Sequence, residues 1–219
     1  MGLIVDLGIN LLATVLGILI VLLLERKRRP QLSMTIGQSS TIEKNDTLNR
    51  SPCTWLHVQI HNPSLPRFLA WCYDREPAFS CHAWVTFHHL DGVRVFDRKM
   101  NARWSDTPPP EIADMYKQTK TLPKTVQETV DIPPGEYANI DIALRLEGED
   151  ECYGWNNENY LYDNNKNPNW RLDKGRYIAQ VTVKSAGRQF TDAFMVCNDV
   201  PYQDFRLETI DRKSKSSLK

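Results

Sequence analysis

Two stretches of this chain carry side chains suited to gripping a ligand. Arg103 and Trp104 stand together just ahead of Pro108, Pro109 and Pro110. They offer a cation and an aromatic face that can stack on a base or hold a peptide. Further on, Trp155, Asn156, Asn157, Asn159, Tyr160, Tyr162, Asn164 and Asn165 mix stacking surfaces with short amides. Loops on a rigid β scaffold are where binding usually resides. The competing reading is packing, because long loops tuck aromatics under themselves and Asn is a turn residue. Both readings stay open for each stretch. The candidate ligand contacts are Arg103, Trp104, Trp155, Asn157, Tyr160 and Tyr162, and a small charged, nucleotide-like molecule is one ligand they suit.

The remaining reactive side chains point away from catalysis. His57 and His61 share one face of a strand, about 13 Å apart, too far to serve one metal as a simple pair. His82, His88 and His89 lie near the next hairpin. All five histidines read as polar surface residues. Glu147, Glu149, Asp150 and Glu151 lack the spacing of a calcium loop and read as a solvated acidic run. No Ser, Cys or Thr sits in a nucleophile elbow, and no Gly-rich phosphate loop follows a strand. The expectation is therefore no enzyme activity, no cofactor and no metal.

The formal net charge is zero, 27 basic against 27 acidic residues. Without a global basic field, duplex nucleic acid is not an expected partner. Cys53, Cys72, Cys81, Cys152 and Cys197 are odd in number, irregularly spaced and without a Cys-x-x-Cys pair, the pattern of reduced thiols in a reducing compartment. Asn45 and Asn49 begin glycosylation-type triplets, a match this Asn-rich chain reaches by chance.

The elements that must position these residues are mostly strands. Leu32, Met34 and Ile36 alternate with polar residues, as do Leu56, Val58 and Ile60. A further short strand or edge is expected at 70–73. Cys81, Ala83, Val85 and Phe87 face one way, and Asp91 with Gly92 turns the chain into a return over 93–96. The three prolines forbid a central strand near 108–110 but admit a short helix after Pro110. A strand is expected over 126–132. Ile140, Ile142, Leu144 and Leu146 read as one alternating strand. A last hairpin joins 177–184 to 189–197 through Ala186 and Gly187, and 205–210 reads as an edge strand. Seven to nine short strands with little helical periodicity argue a sandwich or barrel.

Leu172, Asp173, Lys174, Gly175, Arg176 and Tyr177, followed by Ile178, Ala179, Gln180, Val181, Thr182 and Val183, resemble the tyrosine corner of immunoglobulin-like and fibronectin-type-III-like sandwiches. There a Tyr at the start of a late strand bonds back across the corner. Pro133, Pro134 and Gly135 ahead of the preceding strand are also similar to that class. The match covers these residues directly, and the strand pattern around it extends to most of 31–210. The Cys, Trp and Cys pattern of antibody domains is absent. The resemblance implies the broad fold and no particular activity.

The chain begins with an apolar run over 3–24, sixteen of whose residues are Leu, Ile or Val. As a helix it rises about 33 Å, enough for a bilayer core of about 30 Å. Insertion is favoured by about 8 kcal/mol; an acid such as Asp6 opposes it by about 3 kcal/mol at mid-bilayer and by less near the helix end, where Asp6 sits. Charged residues follow at 25–29, where a cleavable leader would carry its positive charge in front. Asp6, Asn10 and Gly17 fall on one stripe of this helix. That stripe is either a self-association seam or the trace of an acid reaching for the headgroups.

The sequence thus predicts an all-β, immunoglobulin-like β-sandwich preceded by a single N-terminal transmembrane α-helix. The expected divisions are 3–24 (helix), 25–30 (basic stop), 31–210 (sandwich) and 211–219 (basic tail). The expected location is the inner (plasma) membrane, single-pass, with the N-terminus outside and the sandwich cytoplasmic. The expected function is a non-enzymatic, self-associating binding or scaffold module, its partners membrane lipids and itself or another membrane-associated protein. The alternative is a membrane effector whose sandwich senses the charged ligand and whose helices assemble into a pore.

Overall fold

The computed structural model describes residues 2–42, 52–67, 74–107 and 128–210, with side chains from residue 11 onward and without that of Asp163. Expectations for 70–73, for the segment after Pro110, for the glycosylation-type triplets and for the tail 211–219 lie outside the described residues.

Helix α1 spans Gly2–Arg28. Among the described residues no helix is long and apolar enough to cross a membrane. The transmembrane helix over 3–24 is therefore corrected, and with it the inner-membrane, single-pass location. Residues 3–10, which that reading needed, contribute no described side chains. At the end of the helix, Arg28 pairs with Glu25 at 3.2 Å and with Glu76 at 3.9 Å. The Arg28 carbonyl accepts from the Glu76 N–H. Arg28 thus engages the β domain, and so does Pro30, whose carbonyl accepts from Arg188 Nη1 at 3.2 Å.

The rest is two antiparallel sheets. One holds seven strands: β1 Ser33–Ile36, β2 Ser40–Ile42, β3 Cys53–His61, β6 Arg103–Trp104, β8 Tyr137–Leu146, β9 Cys152–Gly154 and β10 Arg171–Leu172. Its path is β1-β3-β8-β9-β10, with β2 also on β3 and β6 also on β8. The other holds six: β4 Ala78–His88, β5 Met100–Asn101, β7 Thr129–Ile132, β11 Arg176–Ser185, β12 Arg188–Cys197 and β13 Arg206–Thr209. Its path is β13-β12-β11-β4-β5, with β7 also on β4. The fold is mostly β and compatible with a sandwich. The helix-plus-sandwich description reduces to these two sheets.

Period-two alternation builds the layers. Leu56, Val58 and Ile60 of β3 point inward with Cys81, Ala83, Val85 and Phe87 of β4, and all are buried. They share one core with Ile140, Ile142, Val181, Phe194 and Val196, so both sheets bury their inner faces against each other. The hairpin from β11 to β12 turns at Ala186 and Gly187, both at positive φ, as a two-residue turn matching strand twist demands. The return after Gly92 is not a strand: it holds only an isolated bridge, His88 to Arg94. The Tyr177 hydroxyl donates to the Asp173 carbonyl at 3.0 Å, bonding back across the corner.

One irregularity decides what the outer face of the seven-stranded sheet presents. Leu56 pairs with Ala143, yet His57 pairs with Asp141, so β8 holds one additional residue between these rungs. Such a bulge switches which side chains face outward. Ile140 and Ile142 lie in the main core. Leu144 and Leu146 instead join Cys53, Tyr153 and Trp155 in a second apolar cluster, with Trp55 and Tyr160 against it. The single alternating face read over 140–146 is thus split between the two sides of the sheet.

Candidate functional site

The bulge aligns three polar residues across neighbouring strands. His57 of β3 stands opposite Asp141 of β8, and Asp141 opposite Arg103 of β6. His57 Nδ1 lies 2.7 Å from Asp141 Oδ1. The Ser105 hydroxyl donates to the same oxygen at 2.5 Å. On the other side of the imidazole, Ser40 Oγ lies 2.6 Å from His57 Nε2. A carboxylate at Nδ1 favours the proton there, which leaves Nε2 to accept from Ser40. Asp141 and His57 are 7% and 12% exposed, whereas Ser40 is exposed.

These residues line a groove of about 700 Å³. The segment Gln38 to Ile42 forms one wall, and Trp55, Trp155 and Tyr160 form an aromatic wall. Trp155 meets Trp55 edge-on at 5.8 Å and Tyr160 edge-on at 6.0 Å between ring centres. Asn139 completes the lining, and its Oδ1 has no hydrogen-bond partner among the described residues. Gly37 lets the first wall come this close. Its N–H donates to the His57 carbonyl at 2.9 Å, and a Cβ there would sit 3.1 Å from the His57 Cβ.

Arg103 supports the site from within. It is 5% exposed. Nη1 donates to Asn157 Oδ1 at 2.6 Å and Nη2 to the Thr107 carbonyl at 2.5 Å. Its guanidinium lies over the Tyr160 ring at 4.6 Å. Burial lowers its pKa, while the nearby Asp141 and then Tyr160 act to raise it.

The sequence-predicted ligand residues separate on this geometry. Arg103, Trp155 and Tyr160 converge on the groove. Trp104 turns into the main core, 1% exposed, and its indole N–H donates to the Glu128 carbonyl at 3.2 Å. Asn157 is buried and spent on Arg103. Tyr162 lies outside the groove lining, and its N–H bonds the Asn159 carbonyl. In the helix stripe, a Cβ on Gly17 would meet nothing within 4 Å. The side chains of Asp6 and Asn10 lie outside the described residues.

The Asn-rich segment is built mainly for its own architecture. Asn156 caps the short helix α2, Asn157–Tyr160, by accepting from the Asn159 N–H, and Asn167 caps the turn Pro168–Trp170. Asn159, wholly buried, donates to the Gly154 carbonyl and accepts from the Asn167 N–H at 2.8 Å. Asn159→Ala should cost about 1–3 kcal/mol, the cost of stranding those two buried backbone groups. A urea titration followed by circular dichroism measures it.

Reading along the sequence missed Ser40, His57, Ser105, Asn139 and Asp141. The signal available was slight: a Ser, a His and an Asp in separate segments, with no motif linking them. Glu149, Asp150 and Glu151 of the acidic run line a second, polar depression with Arg145, Lys166 and Tyr202, where Lys166 pairs with Glu149. Cys81, Cys152 and Cys197 are free thiols whose pKa values burial pushes up. Among the described residues no three His, Cys, Asp or Glu side chains gather as a metal site.

No family model, curated protein or solved structure matches this chain. These comparisons identify no immunoglobulin or fibronectin family.

Proposed function

We propose that this domain is a binding module whose ligand site is the groove on the outer face of the seven-stranded sheet. The observation that carries this is the meeting of Trp55, Trp155 and Tyr160 with His57, Ser105, Asn139 and Asp141 in one concavity. Its volume falls within the few hundred to about 1,000 Å³ typical of small-molecule sites. Apolar rings on one side and hydrogen-bonding groups on the other suit a small, flat molecule with a polar edge. The charges of Arg103 and Asp141 offset each other across one strand rung, which favours a near-neutral ligand over a highly charged one. Asn139 Oδ1, without a partner among the described residues, supplies an acceptor, or the amide a donor if its two ends are exchanged.

Saturation-transfer NMR with phenol, indole and benzamide tests the reading. Binding is expected for the wild-type chain. Trp55→Ala should weaken it about tenfold or more, since truncating an aromatic anchor at a binding site costs on the order of 1–3 kcal/mol. Trp55 is only half-buried, so the variant should keep its fold. Absence of transfer to all three probes, or transfer unchanged by Trp55→Ala, refutes it.

A further inference from the structure

We propose that Ser40, His57 and Asp141 form a nucleophilic relay, and that the groove hydrolyses small carboxylic esters. This rests on the groove being a ligand site and adds a reaction to it. Three observations converge. The connectivity is that of acyl-transfer sites: hydroxyl to Nε2 at 2.6 Å, Nδ1 to carboxylate at 2.7 Å. The carboxylate is itself held, by Ser105 and by its place beside Arg103, which fixes the imidazole's tautomer and orientation. Ser40 is exposed at the rim of a groove large enough for a substrate. A chain of bonds serving only to pin β2 would not need its outermost hydroxyl facing a concavity.

The reaction balances with water as the only co-reactant. Ser40 Oγ attacks the ester carbonyl carbon as its proton passes to His57 Nε2. The ester C–O bond breaks, the leaving alkoxide takes that proton, and the acyl group stays on Oγ. Water then adds to the acyl carbon and gives a proton to His57. The acyl–Oγ bond breaks, and Ser40 recovers its proton. Asp141 stabilises the imidazolium formed in each half. The Asn139 side-chain amide, which lines the same groove, supplies a donor for the developing oxyanion when its N–H end faces the substrate. The aromatic wall favours an ester with a flat or aromatic group.

The test is labelling of the full chain with a fluorophosphonate probe, which loses fluoride as the serine oxygen bonds to phosphorus. Peptide mass spectrometry locates the adduct, and p-nitrophenyl acetate hydrolysis is followed in parallel. The adduct is expected on Ser40. Ser40→Ala should abolish it, and His57→Gln or Asp141→Asn should slow both readouts on the order of 10²–10⁴-fold. Circular dichroism and thermal melting confirm folding, and Ser40→Ala, at an exposed site, keeps the test usable if either other variant fails to fold. An unlabelled Ser40 in the folded wild-type chain overturns the relay, as does a Ser40 adduct whose rate folded His57→Gln leaves unchanged. If the NMR probes bind while Ser40 stays unlabelled, the relay fails and the binding site stands. A His57-dependent Ser40 adduct without probe binding supports the relay and refutes the aromatic ligand site.

Discussion

Arg103→Leu should destabilise the domain by about 3–5 kcal/mol, the usual cost of removing one member of a buried charged pair. The guanidinium serves several partners at once. It satisfies Asn157 Oδ1 and the Thr107 carbonyl, packs on Tyr160, and sits opposite Asp141 across a strand rung. Leucine fills part of the space but donates nothing, so two acceptors lose their donor and Asp141 loses the positive charge across the rung. Arg103→Lys recovers only part of the loss, because an ammonium cannot reproduce the planar fork. Chemical denaturation of both variants measures the cost. Adding Asp141→Asn to Arg103→Leu should cost less than the two single changes combined, since each removes the other's penalty. Strict additivity would mean that the two side chains do not interact.

Trp170→Ala should be comparably severe, about 3–5 kcal/mol, as for other large-to-small changes at fully buried aromatic positions. Trp170 is 1% exposed. It packs edge-on against Phe96 at 5.1 Å, and Arg98 lies 4.6 Å over its ring. Its indole N–H donates to Glu158 Oε2 at 2.9 Å, and Arg98 reaches the same oxygen at 2.7 Å. The alanine therefore leaves a cavity and also removes one of the two donors to Oε2 of Glu158, the residue of α2 next to the Asn157 that holds Arg103. A fall in Tm of roughly 6–20 °C is expected for a domain of this size. Trp170→Phe keeps most of the packing and isolates the hydrogen bond, expected at about 1–2 kcal/mol. If Trp170→Ala melts within a few degrees of wild type, Trp170 does not hold the two sheets' shared core.

The sheet interior was largely legible from period-two patterning. Leu56, Val58 and Ile60, and Cys81 to Phe87, alternate cleanly because one face of each strand is buried, and the last hairpin announces itself through Gly187. The second face of the seven-stranded sheet was not legible. Leu144 and Leu146 look like a continuation of Ile140 and Ile142, and nothing local says that the phase slips between them. His57 reads as a surface residue in the sequence for a related reason: its partners, Asp141 and Ser40, reach it only through strand pairing. The membrane reading rests on apolar length across residues 3–24, and among the described residues no helix is long and apolar enough to carry it. Among the ligand candidates, adjacency misled at Trp104, because neighbours on a strand point to opposite sides and only Arg103 turns outward.

The spare residue in β8 makes the site depend on where the chain is shortened. Excising Ile142 would leave a regular ladder with the acid and Leu144 still on the groove side. Excising Ile140 would restore the same ladder but swing Asp141 into the greasy interior and set Ile142 in its place. In a related gene, matching Ser, His and Asp codons would therefore be insufficient grounds for expecting this pocket. The position of a one-codon gap, two residues earlier or later, would decide whether its polar floor survives.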